Sequence, residues 1–131
     1  MTMTGRVVHF EIPFEDGERA REFYREVFGW KTDIPPGMEY TMVASGPTAD
    51  TGMPAEPGFI NGGMLDKKFS AASGPVIVVE VDSIDDTLSV IEKQGGSILV
   101  GRTAVGNMGF SAYFKDPEGN VTGIWETASQ G

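Results

Sequence analysis

The chain has 131 residues, 40% of them hydrophobic, with 18 glycines, 8 prolines and no cysteine. That is enough apolar material for one domain with a real core, and it excludes disulfides, a thiolate nucleophile and any cysteine-based metal site. A net charge of −9 and a pI near 4.4 argue against nucleic acid and anionic membranes as partners.

Residues 6–13, RVVHFEIP, alternate: Val8, Phe10 and Ile12 take one face, His9 and Glu11 the other, which predicts a half-buried strand. Residues 16–30, DGERAREFYREVFGW, follow. Asp16 is the expected N-cap, with Glu18 in the first turn. Ala20, Phe23, Tyr24, Val27 and Phe28 form an amphipathic stripe, of which Phe23, Tyr24, Val27 and Phe28 are expected to be core, and Gly29 is the expected stop. Residues 38–43 and 59–65 read as strands. Between them, residues 44–58 form a Gly/Pro/Ala-rich loop, the best candidate for a mobile lid.

The second half opens on a strand over residues 75–82, PVIVVEVD, expected to be mostly core, with Val76 and Val78 lining a cleft. SIDDTLSVIEKQGG follows, a helix with Ser83 or Asp85 as cap, Ile84, Leu88 and Ile91 as stripe and Gly95-Gly96 as stop. Asp82, Asp85 and Asp86 read as a charged first turn rather than a cation site. Residues 97–100 make a short strand and 101–109 a loop. Residues 110–115 and 121–125 form a hairpin around Asp-Pro-Glu-Gly-Asn. No apolar run approaches the ~18 residues needed to cross a bilayer. The first ten residues lack a signal-peptide layout, so a cytoplasmic protein is expected.

An ungapped offset of 67 residues lays one half on the other. It places His9 on Val76, Phe10 on Ile77, Ile12 on Val79, Tyr24 on Ile91 and Gly29 on Gly96. The repeat is one of pattern, not of letters: β-α-β-β-β, twice. The expected fold is α+β, with module one over about residues 5–66 and module two over about 73–127. A ferredoxin-like sandwich is the alternative from pattern alone.

The motifs VVHFEI, FYREVFGW and YFKDPEGNVTGIWE, at this spacing, resemble the vicinal oxygen chelate superfamily of glyoxalase I, bleomycin-resistance proteins and extradiol dioxygenases. The resemblance covers essentially the whole chain. It implies two tandem βαβββ modules curving around a cleft, and a homodimer. Its enzymes hold one divalent metal through a first-strand and a last-strand residue of each module. The first ligand position falls on His9 and its pseudo-symmetric mate on Val76. The last-strand Glu, four residues after the turn glycine, falls on Gly123. Its first-module counterpart falls near Asn61 or Gly62. Only His9 among these carries a good donor, and His9 is the only histidine. No cofactor is therefore expected, a divalent metal being the alternative.

His9 and Glu11 share a strand face. They are candidates for an acid–base pair or for ligand contacts; the bland readings are an inert cleft histidine and a solvated carboxylate. Ser111 and Tyr113 share a face, as do Val121, Gly123 and Trp125. The resemblance turns both sets into the cleft, where with Val76 and Val78 they would wall a small-molecule site; otherwise they are core. Met38, Met42, Met64 and Met108 would add adaptable apolar surface; the alternative is that they are core. Three functions follow as expectations. The first is a metal-free binder of a small organic molecule, in the manner of bleomycin-resistance proteins. The second is a metal-dependent lyase, isomerase or dioxygenase, in which the metal acts as Lewis acid. The third is a metal-free enzyme using His9 and Glu11.

Overall fold

The computed structural model describes residues 4–129. Among them are eight strands and two α-helices: β1 (Val7–Phe14), α1 (Gly17–Phe28), β2 (Lys31–Asp33), β3 (Tyr40–Ala44), β4 (Asn61–Asp66), β5 (Val76–Glu80), α2 (Ile84–Lys93), β6 (Ser97–Val105), β7 (Gly109–Lys115) and β8 (Val121–Thr127). Neither helix is long and apolar enough to cross a membrane. The chain divides into two compact units, His9–Pro75 and Val76–Gly131, the latter together with the segment ending at Val8. That segment joins the second unit through Arg6, whose carbonyl accepts from the Glu80 N–H at 2.9 Å.

Both units have the same pairing. In the first, β1 runs parallel to β4, β4 antiparallel to β3, and β3 antiparallel to β2. In the second, β5 runs parallel to β8, β8 antiparallel to β7, and β7 antiparallel to β6. The expected α+β class and the doubled βαβββ order are both present. The three-residue β2 escaped the sequence reading because it is too short to show alternation. The strand predicted to stop at 100 continues to Val105, past two shifts of register that break its period.

Local chemistry explains the element ends. Asp16 caps α1, its carboxylate accepting from the Arg19 N–H at 3.1 Å, and Gly29 closes it in the left-handed region at φ 71°. Ser83 caps α2, accepting from the Asp86 N–H at 3.2 Å. In the final hairpin the Asp116 carboxylate accepts from the N–H groups of Glu118 and Asn120 and from the Asn120 amide. Those bonds, Asn120's first, hold its pKa below the usual carboxylate range. Gly119, at φ 87°, makes the turn.

The two helices pack differently. α2 buries Ile84 and Leu88 against Ala112 and Ile124, with Val79, Ile91, Phe110 and Phe114 around them. α1 buries no residue. The prediction that Phe23, Tyr24, Val27 and Phe28 are core is therefore corrected. Tyr24 stacks on Trp30 at 4.8 Å, Trp30 meets Phe10 at 5.5 Å, and Arg21 donates to Thr41 Oγ1 at 3.2 Å. Phe23, Val27 and Phe28 stay 55%, 53% and 61% exposed. In β5, Val76 and Val78 are buried, whereas Ile77, read as core, is exposed.

Candidate functional site

β1 places His9 and Glu11 on the face opposite Phe10 and Ile12, as alternation requires. Tyr40 of β3 joins them. Its hydroxyl donates to Glu11 Oε2 at 3.0 Å and lies 2.7 Å from His9 Nε2. A tyrosine has one hydroxyl proton. With that proton given to Glu11, the oxygen accepts from His9 Nε2–H, and the ring lone pair is left on Nδ1. Glu11 is only 7% exposed; it is neither the solvated carboxylate of the bland reading nor isolated. Burial holds the His9 pKa below its ordinary value, and the Glu11 charge works against that fall. Near neutral pH His9 is therefore the neutral imidazole.

Tyr40 was not singled out by the sequence. It pairs with Leu65, yet its ring leans over Gly63, the partner of both Glu11 and Met42. A Cβ on Gly63 would run into the Tyr40 phenol, so the glycine is what allows the ring to cross β4 and reach β1. The available signal was the Gly-Gly pair on one strand facing an aromatic on the next.

The second unit repeats the pairing with Val76 and Val78 in the places of His9 and Glu11. Val78, Gly123 and Tyr113 form one row across β5, β8 and β7, and Ser111 pairs with Trp125 in the next. A Cβ on Gly123 would meet Tyr113 Cε1 and Val78 Cγ2, each at 3.1 Å. The ring of Trp125 covers Gly109, and its indole N–H donates to Thr127 Oγ1 at 3.1 Å. Lys115 pairs with Val121. Thus His9 and Glu11 are brought together in one unit, and Val76, Val78, Ser111, Tyr113, Val121 and Trp125 share a face of the other.

The register also moves one predicted position. Glu11 pairs with Gly63 as Val78 pairs with Gly123, and Glu11 and Val78 are related by the 67-residue offset. The first-module counterpart of Gly123 is Gly63, not Asn61 or Gly62. Asn61 instead ties down the preceding loop. Its carboxamide accepts from the Ser45 N–H and donates to Thr48 Oγ1, both at 3.0 Å. With the Thr48–Pro54 bridge, this gives the loop over residues 44–58 an internal hydrogen-bonded structure. A groove of about 610 Å³ opens elsewhere in this unit, lined by Phe14, Arg21, Ile34, Glu39, Thr41 and Phe69 among others. None of the predicted site residues lines it.

A family model described as bleomycin resistance protein-like N-terminal matches residues 6–46. A glyoxylase-like domain-containing protein of Didymella fabae is 32% identical over 128 residues, covering 95% of each chain. The chain belongs to the vicinal oxygen chelate superfamily, among its glyoxalase-like and bleomycin-resistance-like members. Solved structures agree at the level of fold. Methylmalonyl-CoA epimerase of Streptomyces coelicolor with 2-nitronate-propionyl-CoA superposes with a TM-score of 0.64 at 19% identity, over 97% of this chain and 100% of that one. A glyoxalase/bleomycin resistance protein/dioxygenase superfamily member from Vibrio splendidus 12B01 gives 0.61 at 18%, over 95% and 99%.

The superfamily's metal does not fit the residues present. Of its four ligand positions, Val76, Gly123 and Gly63 have no donor atom on their side chains. His9 Nε2 is engaged by the Tyr40 hydroxyl at 2.7 Å. Among the described residues no group of three or more His, Cys, Asp or Glu is placed so that it could hold a metal ion.

Proposed function

We propose that this vicinal oxygen chelate protein is a metal-free binder of a small organic molecule, held at the His9–Tyr40–Glu11 cluster. The observation that carries the reading is the hydrogen-bond chain from His9 Nε2 through the Tyr40 hydroxyl to Glu11. It occupies the imidazole nitrogen and buried carboxylate that a metal would need, and it leaves Nδ1 as a fixed acceptor for a ligand donor. The face of the second unit carrying Val76, Val78, Ser111, Tyr113, Val121 and Trp125 is proposed as a ligand surface in its own right, apolar with hydroxyl handles. We also infer a homodimer, supported by the apolar face that α1 leaves uncovered.

A second reading, metal-free acid–base chemistry, is favoured by one feature: His9 is neutral and its Nδ1 has no side-chain partner among the described residues. The test begins with elemental analysis of protein purified without affinity-tag metal, and with thermal melts against Ni²⁺, Zn²⁺, Mn²⁺ and Fe²⁺. No bound metal and no shift are expected. Near-stoichiometric metal that is lost in His9→Ala overturns the reading. A melt screen of small molecules follows, with acyl-CoA esters included because the epimerase neighbour binds one. A ligand that shifts the melt of the parent protein but not of Tyr40→Phe supports the site. Turnover of such a ligand, abolished in His9→Ala, selects the enzymatic reading.

A further inference from the structure

The groove of about 610 Å³ in the first unit lies on the other side of the sheet from the His9–Tyr40–Glu11 cluster. Thr41 lines it, whereas Tyr40, its neighbour on β3, belongs to the cluster, and successive strand residues point to opposite faces. Its volume falls within the ~300–1,000 Å³ of small-molecule pockets. Phe14, Ile34 and Phe69 give it apolar walls, and Ile34 and Phe69 are left half exposed. At its base Thr41 is buried, and its Oγ1 accepts from Arg21 at 3.2 Å. The charge around it is unbalanced: five carboxylates face two cations. Three of the five are engaged. Asp16 and Asp66 accept backbone N–H bonds from the turns they cap, and Glu15 pairs with Lys67 at 3.3 Å. The carboxylates of Glu18 and Glu39 make no hydrogen bond or ion pair among the described residues. The two cations lie over the aromatic walls, the Arg21 guanidinium 5.9 Å from the centre of the Phe14 ring and the Lys68 ammonium 5.2 Å from that of Phe69. Both rings thus present faces on which positive charge settles. The N-terminus of α1 also opens here, but the Asp16 carboxylate caps it, so its positive end does not call for an anion.

We propose that this groove binds a small organic cation, an ammonium group carried on an apolar body the size of an aromatic ring. Glu18 and Glu39 meet the charge, and Phe14, Ile34 and Phe69 meet the body. A neutral ligand of the same shape leaves the two carboxylates without a counter-charge, and an anion is repelled by them. The site is independent of the one proposed above, because none of its lining residues belongs to the His9–Tyr40–Glu11 cluster.

The test is a proton–nitrogen NMR titration of the full chain with three probes of one shape: 2-phenylethylammonium, 2-phenylethanol and 3-phenylpropanoate. A thermal melt of each variant checks folding; the substituted positions are exposed, so the melts should stay close to the parent's. The ammonium probe is expected to shift the amide signals of Phe14, Thr41 and Phe69 in a saturable way, and the other two to bind more weakly. Glu18→Gln/Glu39→Gln should weaken the ammonium probe by roughly three- to tenfold, and Phe69→Ala by roughly two- to fivefold. Glu92→Gln/Glu118→Gln removes the same charge from two exposed glutamates that do not line the groove, and should have no effect. Equal binding of the three probes, or binding indifferent to Glu18→Gln/Glu39→Gln, overturns the proposal. So does the absence of any shift at the groove amides, or a shift spread over acidic surface everywhere, which is attraction to the net charge alone. Shifts centred on the His9 imidazole place the cation in the cluster, overturning the groove while leaving the function proposed above intact.

Discussion

The two βαβββ units share strand order and direction, yet one is built around a polar cluster and the other around an apolar row. In the first, Glu11 lies opposite Gly63 and a tyrosine from β3 leans across the glycine to bind it. In the second, Val78 lies opposite Gly123 and the tyrosine is directly paired with the glycine. Each unit thus has a glycine beneath a tyrosine ring at the same place. The difference lies in the neighbouring first strand: His9 and Glu11 on β1 against Val76 and Val78 on β5. A doubled backbone therefore does not double the side-chain chemistry: the buried carboxylate and the histidine both lie on β1 of the first unit. The helices diverge in the same way. α2 is anchored by Ile84 and Leu88, whereas α1 rides on stacked rings with no buried side chain.

The helix contrast should produce the largest effect. Leu88→Ala opens a hole in a tight contact and should cost roughly 2–5 kcal/mol. Phe23→Ala, on the exposed edge of α1, should change stability by no more than about 0.5 kcal/mol, measured by urea unfolding at a dilution where copies are apart. A similar loss for both would mean that α1 is anchored like α2.

The glycines come next. Gly63→Ala forces the Tyr40 ring out of its place and should cost about 1–3 kcal/mol together with the His9 and Glu11 hydrogen bonds. Gly123→Ala meets neighbours at 3.1 Å, which can yield by a few tenths of an ångström, and should cost about 1 kcal/mol or less. Equal costs would erase the distinction between the two rows. Tyr40→Phe should then cost about 1–2 kcal/mol through the hydrogen bonds it removes, while Tyr113→Phe tests the same hydroxyl in the second unit.

The smallest effect is electrostatic and belongs to the first unit alone. His9 is the only histidine, so its imidazole signals in a proton NMR titration need no assignment. Burial depresses its folded pKa below the unfolded value of about 6.5. The unfolded chain therefore binds the proton first as pH falls. Its contribution to stability is fully present above about pH 6.5, is lost as pH drops toward the folded pKa, and declines no further below it. Glu11→Gln removes the charge that raises the His9 pKa, so the midpoint should move lower still. A midpoint at or above the ordinary value, or an upward move in Glu11→Gln, would contradict the buried, neutral imidazole.

Much of this was readable from residue order. Asp16, Gly29 and Ser83 act within a few residues of themselves, as caps and stops, and each is found in its predicted role. Alternation placed His9 with Glu11 and Ser111 with Tyr113, because the period of a strand is set by the backbone alone. The absence of ligand atoms at Val76 and Gly123 was also plain, since side-chain chemistry is written directly in the sequence. Periodicity could not say how closely a helix approaches its sheet. The stripe of Phe23, Tyr24, Val27 and Phe28 reads as core on any helical wheel, but in the fold Tyr24 stacks on Trp30 while Phe23, Val27 and Phe28 stay exposed. Nor could residue order bring Tyr40 to a strand 29 residues away. That contact depends on which strands become neighbours, on a register fixed by long-range packing, and on a glycine whose missing side chain matters only once a ring is laid across it.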